Sequence, residues 1–378
     1  MSEFAPLMAL LREGYEPQEW VPLHAPCLDE RDAEAVAESV RSGFVSSVGE
    51  QVRQFEQAVA DFTGARHAVA VVNGTAALML ALKVAGVRPG DLVITQSLTF
   101  IATANAIVHA GAEPLLLDVD ETLCLCAEAL ADFLASECEG DTHIPTGRRI
   151  GAIVPMHTLG FMAEMPQILQ LAEQHGIPVV EDAAEALGST LQGRHAGTFG
   201  VAGVLSFNGN KLITTGGGGM ILTDDDALAE QARHLATTAK QPHPWHFVHD
   251  EIGYNLRLPN LNAALGLSQL KKVSQIQAFK QRRKTALQKV GDPPLLLGRT
   301  PYQQPNHWLL AVQVADEGAR DALLQAGTDQ RVQMRPFWTP LHQQPPYRQV
   351  RHFGTLSRSE ALFATTVCLP SAPRCQYG

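Results

Sequence analysis

The sequence predicts an α/β fold in which a mostly parallel central sheet is flanked by helices and followed by a smaller α+β C-terminal domain. Short segments rich in Val and Ile alternate with helix-like segments between about residues 30 and 240. Continuous apolar strands separated by helices are typical of a parallel sheet that is covered on both faces. The chain has 378 residues, which exceeds one ordinary domain, so a second lobe is expected.

Two helices are predicted before the sheet begins. Asp29 caps the first helix and Gly43 stops it, and the second runs through EQVRQFEQAVADF to Gly64. The predicted strands are HAVAVV, DLVIT, EPLLLDV, IGAIVPM and IPVVED, and the helices between them include TAALMLALKVAG, TANAIVHAG and MPQILQLAEQHG.

A connecting helix is predicted in the second half of the chain, over LNAALGLSQLKKVSQIQAFKQRRKTALQKV. Beyond it, a strand in NHWLLAVQV, a helix in EGARDALLQAG and a strand in RVQMRPF predict the smaller lobe. We therefore predict three units, namely an N-terminal arm over residues 1–25, a large domain over residues 26–240, and the connecting helix with the small domain over residues 241–378.

Composition and charge exclude several classes of protein. Lys and Arg number 29 against 39 Asp and Glu, which gives a net charge of −10 and no basic field for nucleic acid. The N-terminus lacks the apolar run of a secretory signal, and no apolar stretch approaches the roughly 20 residues of a membrane span. The six cysteines show no paired CxxC spacing. We expect a cytoplasmic protein with reduced thiols and no membrane or nucleic-acid partner.

Asn73, Gly74 and Thr75 lie where the strand HAVAVV ends and the next helix begins. Backbone N–H groups at the positive end of a helix form a cradle for phosphate, and Gly74 would allow close approach while Thr75 adds a hydroxyl. An ordinary N-cap explains the same residues. Both interpretations stay open on the motif alone.

A carboxylate and a lysine add candidate chemistry. The strand IPVVED delivers Asp182 at its C-terminal end, where ligands lie in parallel α/β sheets, and a carboxylate there could pair with a protonated pyridine nitrogen. Lys211 follows the apolar strand GVLSF, and a lysine in an apolar neighbourhood can form a Schiff base. The alternatives are a helix cap for Asp182 and a solvated surface charge for Lys211.

Two further patterns are not assigned to a site. The glycine run in TTGGGGM matches neither GxGxxG opening a helix nor a P-loop, so it predicts a turn between strands. His243, His246 and His249 match no zinc template. We expect these to be loop or substrate-contact histidines, and we predict no metal site.

Five motifs in register resemble the DegT/StrS family of fold-type I pyridoxal phosphate (PLP) aminotransferases, which act on nucleotide sugars. They are NGTAAL, SLTFIATANAI, EDAAEALG, SFNGNK and GYNLRLPNLNAALG. The resemblance extends from about residue 20 to about residue 370. Within the family, the SFNGNK and TTGGGG variant and the stretch RPFWTPLH look most like enzymes that aminate C4 of UDP-linked 4-keto-6-deoxy-N-acetylhexosamines, on the bacillosamine and legionaminic acid routes.

The resemblance implies a role for individual residues. Lys211 would form the Schiff base with the cofactor and shuttle the proton, and Asp182 would pair with the pyridine nitrogen. The remaining implied contacts are the phosphate ligands Gly74, Thr75 and Ser206, the ring-stacking Phe100, and Asn255, which would reach the cofactor phosphate of the neighbouring subunit. The last of these implies a homodimer with shared active sites.

Two departures from the family pattern stand out. Glu185 occupies the position where many members carry Gln or His near the 3-hydroxyl of the cofactor. The perosamine and related branches also use Glu here. We therefore expect Glu185 to be characteristic of a subgroup and to contact the cofactor. The sequence ends in CLPSAPRCQYG, where relatives usually continue with an amphipathic helix. Either this lineage lacks that helix or the reading frame has been altered. In both cases we expect the small lobe to be less stable without the helix.

The implied reaction is a double displacement. L-glutamate would give its amine to the cofactor and leave as 2-oxoglutarate, and a nucleotide-linked ketosugar would then take the amine from pyridoxamine phosphate. For the anionic groups of both substrates, the candidate cations are Arg257 first, then Arg335 and His342. A structural salt bridge is an equal alternative for each.

Two other functions are weighed against this one. A PLP-dependent sugar dehydratase of the same family would carry histidine in place of Lys211. A catalytically silent cofactor-binding regulator would not need both Asp182 and Lys211.

Overall fold

The computed structural model describes residues 4–374. Its first eleven strands are β1 (His67–Val71), β2 (Leu92–Gln96), β3 (Glu113–Leu117), β4 (Cys138–Glu139), β5 (Thr142–His143), β6 (Arg148–Val154), β7 (Val180–Asp182), β8 (Thr190–Leu191), β9 (Arg194–His195), β10 (Ala202–Ser206) and β11 (Gly219–Thr223). The later strands are β12 (Leu295–Leu296), β13 (Gln303–Gln304), β14 (Leu310–Gln313), β15 (Arg335–Pro336), β16 (Arg351–His352) and β17 (Thr366–Leu369).

The helices alternate with these strands. They are α1 (Ala5–Leu11), α2 (Glu30–Arg41), α3 (Glu50–Thr63), α4 (Gly74–Val84), α5 (Ile101–His109), α6 (Ala127–Glu137), α7 (Met165–His175), α8 (Asp226–Ala236), α9 (Asn260–Leu270), α10 (Val273–Val290), α11 (Glu317–Asp329) and α12 (Ser357–Thr365). The predicted caps are confirmed, because the Asp29 side chain accepts a hydrogen bond from the Arg31 N–H in a capping box and Gly64 ends α3 in the left-handed conformation.

The central sheet carries the strands in the order β1, β11, β10, β7, β6, β2, β3 and β16. Within this order, β11 is antiparallel to both of its neighbours, and the pairs from β10 to β16 are parallel. Two isolated parallel bridges, Ile153 to Val179 and Met156 to Asp182, join β6 to the β7 strand. The prediction of a mostly parallel sheet between helices is confirmed.

The predicted connecting helix is wrong as a single element, because it is two helices. α9 ends at Leu270 and α10 begins at Val273. At the break, the Lys272 ammonium is buried and forms ion pairs with Asp29 and Asp32 at 2.9 and 2.5 Å. These ion pairs fix the break against the start of α2, and α9 packs on α2 and α3.

The small lobe is built around the sheet β12, β14, β17 and β15. The strand predicted in RVQMRPF is reduced to β15, because Val332 instead forms a bridge with Val21 of the N-terminal segment. Leu7 and Leu11 of α1 are buried in the same apolar cluster as Val312 and Leu369. The N-terminal segment therefore packs on the small lobe, while the domain limits at residues 25 and 240 stay predictions.

The cysteines differ in part from expectation. Cys27 is disulfide-bonded, so the prediction of a reduced thiol is wrong there, since the lack of paired spacing does not exclude a disulfide. Free thiols are present at Cys124, Cys126, Cys138 and Cys368. The end of the sequence, from residue 375 on, lies outside the described residues. Among the helices that are described, none combines the length and the apolarity that a membrane crossing requires.

Candidate active site

A cavity of about 310 Å³ lies at the carboxyl ends of β7 and β10. The start of α4, the loop after β10 and two tryptophans of the small lobe complete its wall. Its lining residues are Asn73, Gly74, Thr75, Leu78, Phe100, Ala102, Met156, Asp182, Ala184, Glu185, Ser206, Asn208, Asn210, Lys211, Trp308 and Trp338. Ligands of parallel α/β sheets bind at this edge.

The start of α4 forms part of the cavity wall. Asn73 is the N-cap, and its Oδ1 accepts a hydrogen bond from the Ala76 N–H at 2.8 Å. The N–H groups of Gly74 and Thr75 have no acceptor within the helix, because they belong to its first turn. A Cβ on Gly74 would lie 2.9 Å from Cβ of Ser206. The N-cap interpretation is confirmed, and an anion-binding cradle at the same helix start stays a prediction.

Asp182, the last residue of β7, also lines the cavity. Its Oδ2 accepts a hydrogen bond from Oγ1 of Thr103 at 2.8 Å, and its Oδ1 accepts one from the Ala184 N–H at 3.2 Å. Oγ1 of Thr103 also lies 2.8 Å from Oγ1 of Thr99. The buried carboxylate is thus held in one orientation by both of its oxygens.

Lys211 lies in the turn after β10 and lines the same cavity. Its Nζ is 3.3 Å from Oε1 of Glu185 and 4.3 Å from the ring centroid of Trp308. Only 13% of the Lys211 side chain is exposed, so it is not a solvated surface charge. The aromatic face and the carboxylate together hold the amine in the cavity.

Glu185 is a buried acid beside this amine. Its Oε2 accepts a hydrogen bond from the Leu159 N–H at 2.9 Å. Burial raises the pKa of Glu185 from 4.5 to about 7, although the positive charge of Lys211 opposes the rise. The acid therefore holds a proton more readily in the folded chain than in the unfolded one.

This difference predicts a pH dependence of stability in the apoprotein. Between pH 4.5 and about 7 the folded chain binds more protons at Glu185 than the unfolded chain, so the free energy of unfolding falls as the pH rises through this window, by about 3 kcal/mol. Glu185→Gln removes the titration. The difference in melting temperature between the wild type and this variant should change across the window, and equal pH slopes would refute the assignment. Glu121→Gln, at an exposed position, serves as the control.

The other residues predicted to bind the cofactor divide into two groups. Phe100 and Ser206 line the cavity, and the Phe100 ring lies 6.4 Å from the ring of Trp338. Asn255 is exposed on the segment after α8 and forms a bridge with Thr237. The chain therefore does not bring Asn255 to the cavity that contains Lys211.

The three predicted substrate cations also lie apart from one another. Arg257 lines a separate cavity of about 310 Å³ together with Arg53 and Arg233. Arg335 lines a neighbouring cavity of about 400 Å³ that shares Asn210, Trp308 and Trp338 with the first. Within residues 4–374 the Arg335 guanidinium has no ion pair, so Arg335 is the free cation beside the candidate site.

His342 is held in place by its own neighbours. Its Nδ1 lies 2.7 Å from Oγ of Ser97, and its Nε2 lies 3.0 Å from Oε1 of Glu360. Both ring nitrogens of His342 have a partner within the protein. This favours a structural role for His342, in a salt bridge with Glu360, over substrate binding. The histidine-rich loop that contains His243 and His246 is exposed and is not part of the cavity wall.

Comparisons with known proteins identify the family of the chain. Residues 26–377 match the DegT/DnrJ/EryC1/StrS aminotransferase family. The chain belongs to this family. EpsN of Bacillus subtilis, described as a candidate pyridoxal phosphate-dependent aminotransferase, is 35% identical over 92% of this chain and 90% of its own. GDP-perosamine synthase of Caulobacter vibrioides is 37% identical over 86% of each chain.

Solved structures show the same fold. The crystal structure of DesI in the presence of its TDP-sugar product superposes with a TM-score of 0.82 at 29% identity, covering 97% of this chain and 92% of the other. The chain is therefore a sugar aminotransferase of the DegT/DnrJ/EryC1/StrS family by sequence and by fold.

The sequence analysis missed two tryptophans of the cavity wall and the threonine that binds Asp182. Trp308 and Trp338 come from the small lobe, more than 90 residues after Lys211, and Thr103 reaches Asp182 from α5. The signal for Trp338 was present in RPFWTPLH, but only Arg335 and His342 of that stretch were selected. Trp308 reads as an ordinary core residue, because the apolar residues Leu309 and Leu310 follow it in a strand pattern.

Proposed function

We propose that this chain is a PLP-dependent aminotransferase that moves the amino group of L-glutamate to C4 of a nucleotide-linked 4-keto-6-deoxy sugar. The observation that carries the proposal is the single cavity in which Lys211, Asp182 and the start of α4 meet. Membership of a sugar aminotransferase family supports it.

Two groups of residues in the cavity suit PLP, one for its phosphate and one for its pyridine nitrogen. The first turn of α4 and the Ser206 hydroxyl offer N–H and O–H donors to a phosphate, and the Asp182 carboxylate suits a protonated pyridine nitrogen. Gly74 supports this fit, because a side chain there would meet Ser206. Phe100 would contact the ring face from the cavity wall.

PLP, when bound, supplies an electron sink for the carbon that loses its proton. The protein supplies the groups that hold and move protons. Asp182 keeps a proton on the pyridine nitrogen, since hydrogen bonds from Thr103 and Ala184 orient its oxygens. Lys211 removes the proton from the donor α-carbon as general base and returns one to the sugar carbon. Glu185 holds that amine inside the cavity between these steps.

Gly74→Ala should weaken cofactor binding by about tenfold or more, because the new Cβ intrudes between α4 and Ser206. The dissociation constant of PLP, measured by fluorescence titration of the apoprotein, provides the test. Gly217→Ala is the control, since its Cβ would meet only the Val72 carbonyl oxygen at 3.8 Å. Equal affinity in both variants would rule out the α4 cradle as the phosphate site.

The sugar substrate is proposed from the relatives and from the sequence motifs. The relatives include a GDP-perosamine synthase and an enzyme crystallised with its TDP-sugar product, while the motifs favour UDP-2-acetamido-2,6-dideoxy-4-ketohexose. All three are nucleoside diphosphate sugars. The unpaired Arg335 beside the cavity offers a bidentate partner for a carboxylate or diphosphate. Such amino sugars serve surface polysaccharide or glycan biosynthesis.

A homodimer with shared sites is part of the proposal. Asn255 and Arg257 are exposed in the single chain, and the adjoining loop exposes 72% of Trp245, 77% of Phe247 and 91% of Ile252. Exposed apolar side chains of this size are typical of an interface. A mixture of inactive Lys211→Ala and inactive Asn255→Ala chains should regain activity after subunit exchange. No recovery would contradict a role for Asn255 across the interface.

The reaction itself is tested with a panel of UDP-, dTDP- and GDP-linked 4-ketosugars, with the product identified by NMR. Glutamate alone should convert the visible absorbance of the bound cofactor to that of pyridoxamine phosphate. No such change with any amino donor would refute the transaminase. The dehydratase is disfavoured because a lysine occupies position 211.

A further inference from the structure

Lys280 is a fully buried lysine in the middle of α10. Within residues 4–374 its Nζ has no carboxylate partner. Its neighbours are instead Nε2 of His24 at 2.9 Å, the carbonyl oxygen of Trp308 at 2.8 Å, and the carbonyl oxygen of Ser371 at 3.1 Å. One amine thus joins the N-terminal segment, α10, the small lobe and the last described segment.

These contacts do not depend on the charge of the amine. Burial lowers the pKa of Lys280 well below its ordinary value. An ammonium has three N–H donors and a neutral amine has two. Either form can therefore donate to both carbonyl oxygens, and Oγ of Ser371 donates to the Trp308 carbonyl as well, at 2.9 Å.

Trp308 is held on two further sides. Its backbone N–H donates to Oδ1 of Asn306 at 2.7 Å, and its indole Nε1–H donates to the Asn210 carbonyl at 2.7 Å. Asn210 directly precedes Lys211, and the indole ring lies 4.3 Å from the Lys211 amine. Trp308 therefore connects two amines. Its carbonyl oxygen accepts from Lys280, and its indole ring lies beside the amine of Lys211.

We propose that Lys280 is a positioning residue, which fixes the Trp308 indole against the amine of Lys211 and so keeps that amine directed into the cavity. Its effect on the chemistry rests on the proposed function. The placement of Trp308 does not, since it concerns only residues of this chain. A buried amine without an acidic partner is costly, and the site supplies a reason for its presence.

The first test needs no cofactor. The apoprotein has four tryptophans, which can be labelled with 5-fluorotryptophan and assigned in ¹⁹F NMR spectra through Trp-to-Phe variants. Lys280→Met should shift or broaden the Trp308 signal and leave those of Trp20 and Trp245 in place. Lys289→Met, at an exposed position near the end of α10, should move none of these signals. An unmoved Trp308 signal in Lys280→Met would overturn the proposal.

The second test measures how fast the Lys211 amine captures the aldehyde of PLP, with release of one water, by stopped-flow absorbance. Lys280→Met should slow capture by about tenfold, since a displaced nucleophile loses its orientation. Trp308→Leu should have a similar effect, and the double variant should add little to it. Fully additive effects would mean that Lys280 does not act through Trp308.

The proposal stays testable if Lys280→Met does not fold and if the wild-type protein captures no PLP. If Lys280→Met fails to fold, Ser371→Ala removes only the hydroxyl from the same cluster, and it should give a smaller shift of the same ¹⁹F signal. No shift there would again overturn the proposal. If the wild-type protein captures no PLP, the proposed function fails, while the ¹⁹F spectra still decide whether Lys280 positions Trp308.

Discussion

Replacing Lys211 with alanine is expected to lower kcat by about 10⁴-fold or more. The residue is proposed both to bind the cofactor covalently and to move the proton at the reacting carbon, and a positioned general base alone contributes up to about 10⁴-fold. The amine lies between Glu185 and Trp308 in the cavity wall, so an exposed lysine elsewhere in the chain cannot take its place. The measurement is the rate of 2-oxoglutarate formation from glutamate with a ketosugar acceptor.

Two matched variants separate chemistry from charge. Lys211→Arg keeps a cation beside Glu185 but provides no amine nucleophile, and it should be as inactive as the alanine variant. Lys289→Ala, at an exposed position of α10, should retain full activity. Turnover by Lys211→Ala within tenfold of the wild type would show that another group is the base.

Asp182→Asn is expected to lower kcat by about 10³-fold with a nearly unchanged fold. The amide has the shape of the carboxylate but no charge to hold a proton on the pyridine nitrogen, and such electrostatic support is worth about 10²- to 10³-fold. The measurement is kcat for the reaction with glutamate, with the melting temperature of each variant as the check on folding.

Thr103→Val gives the graded control for this position. It removes one hydrogen bond to Oδ2 of Asp182 and leaves the carboxylate in place, so a loss of about tenfold is expected. The informative result is which of the two variants, Asp182→Asn or Thr103→Val, loses more activity. A larger loss in Thr103→Val than in Asp182→Asn would mean that the charge of Asp182 is not what the reaction needs.

The sequence predicted most of the large lobe because its local signals agree with one another. The cap at Asp29, the left-handed Gly64 and the apolar strands β1, β2 and β3 each lie where the pattern indicated. Asp182 ends β7 and Lys211 follows β10, and the apolar runs of these two strands pointed to both residues. Residues at the ends of parallel strands meet at one edge of a sheet, and this rule brought both to the cavity.

What the sequence left out depends on contacts between distant segments. The break between α9 and α10 rests on ion pairs of Lys272 with Asp29 and Asp32, which no local period reveals. Trp308 belongs to the small lobe and reaches Lys211 only through tertiary packing. Arg257 was chosen for its charge, yet it lies in a different cavity of the single chain.

The central claim is that Lys211 and Asp182 share one cavity with the cofactor, and reductive trapping tests it most directly. The protein purified with PLP is treated with borohydride, digested, and analysed by mass spectrometry for a pyridoxyl group. The account predicts modification of Lys211, with Asp182→Asn reducing the visible absorbance of the complex but not moving the label. A label on another lysine, or none in a protein that binds PLP, would contradict it.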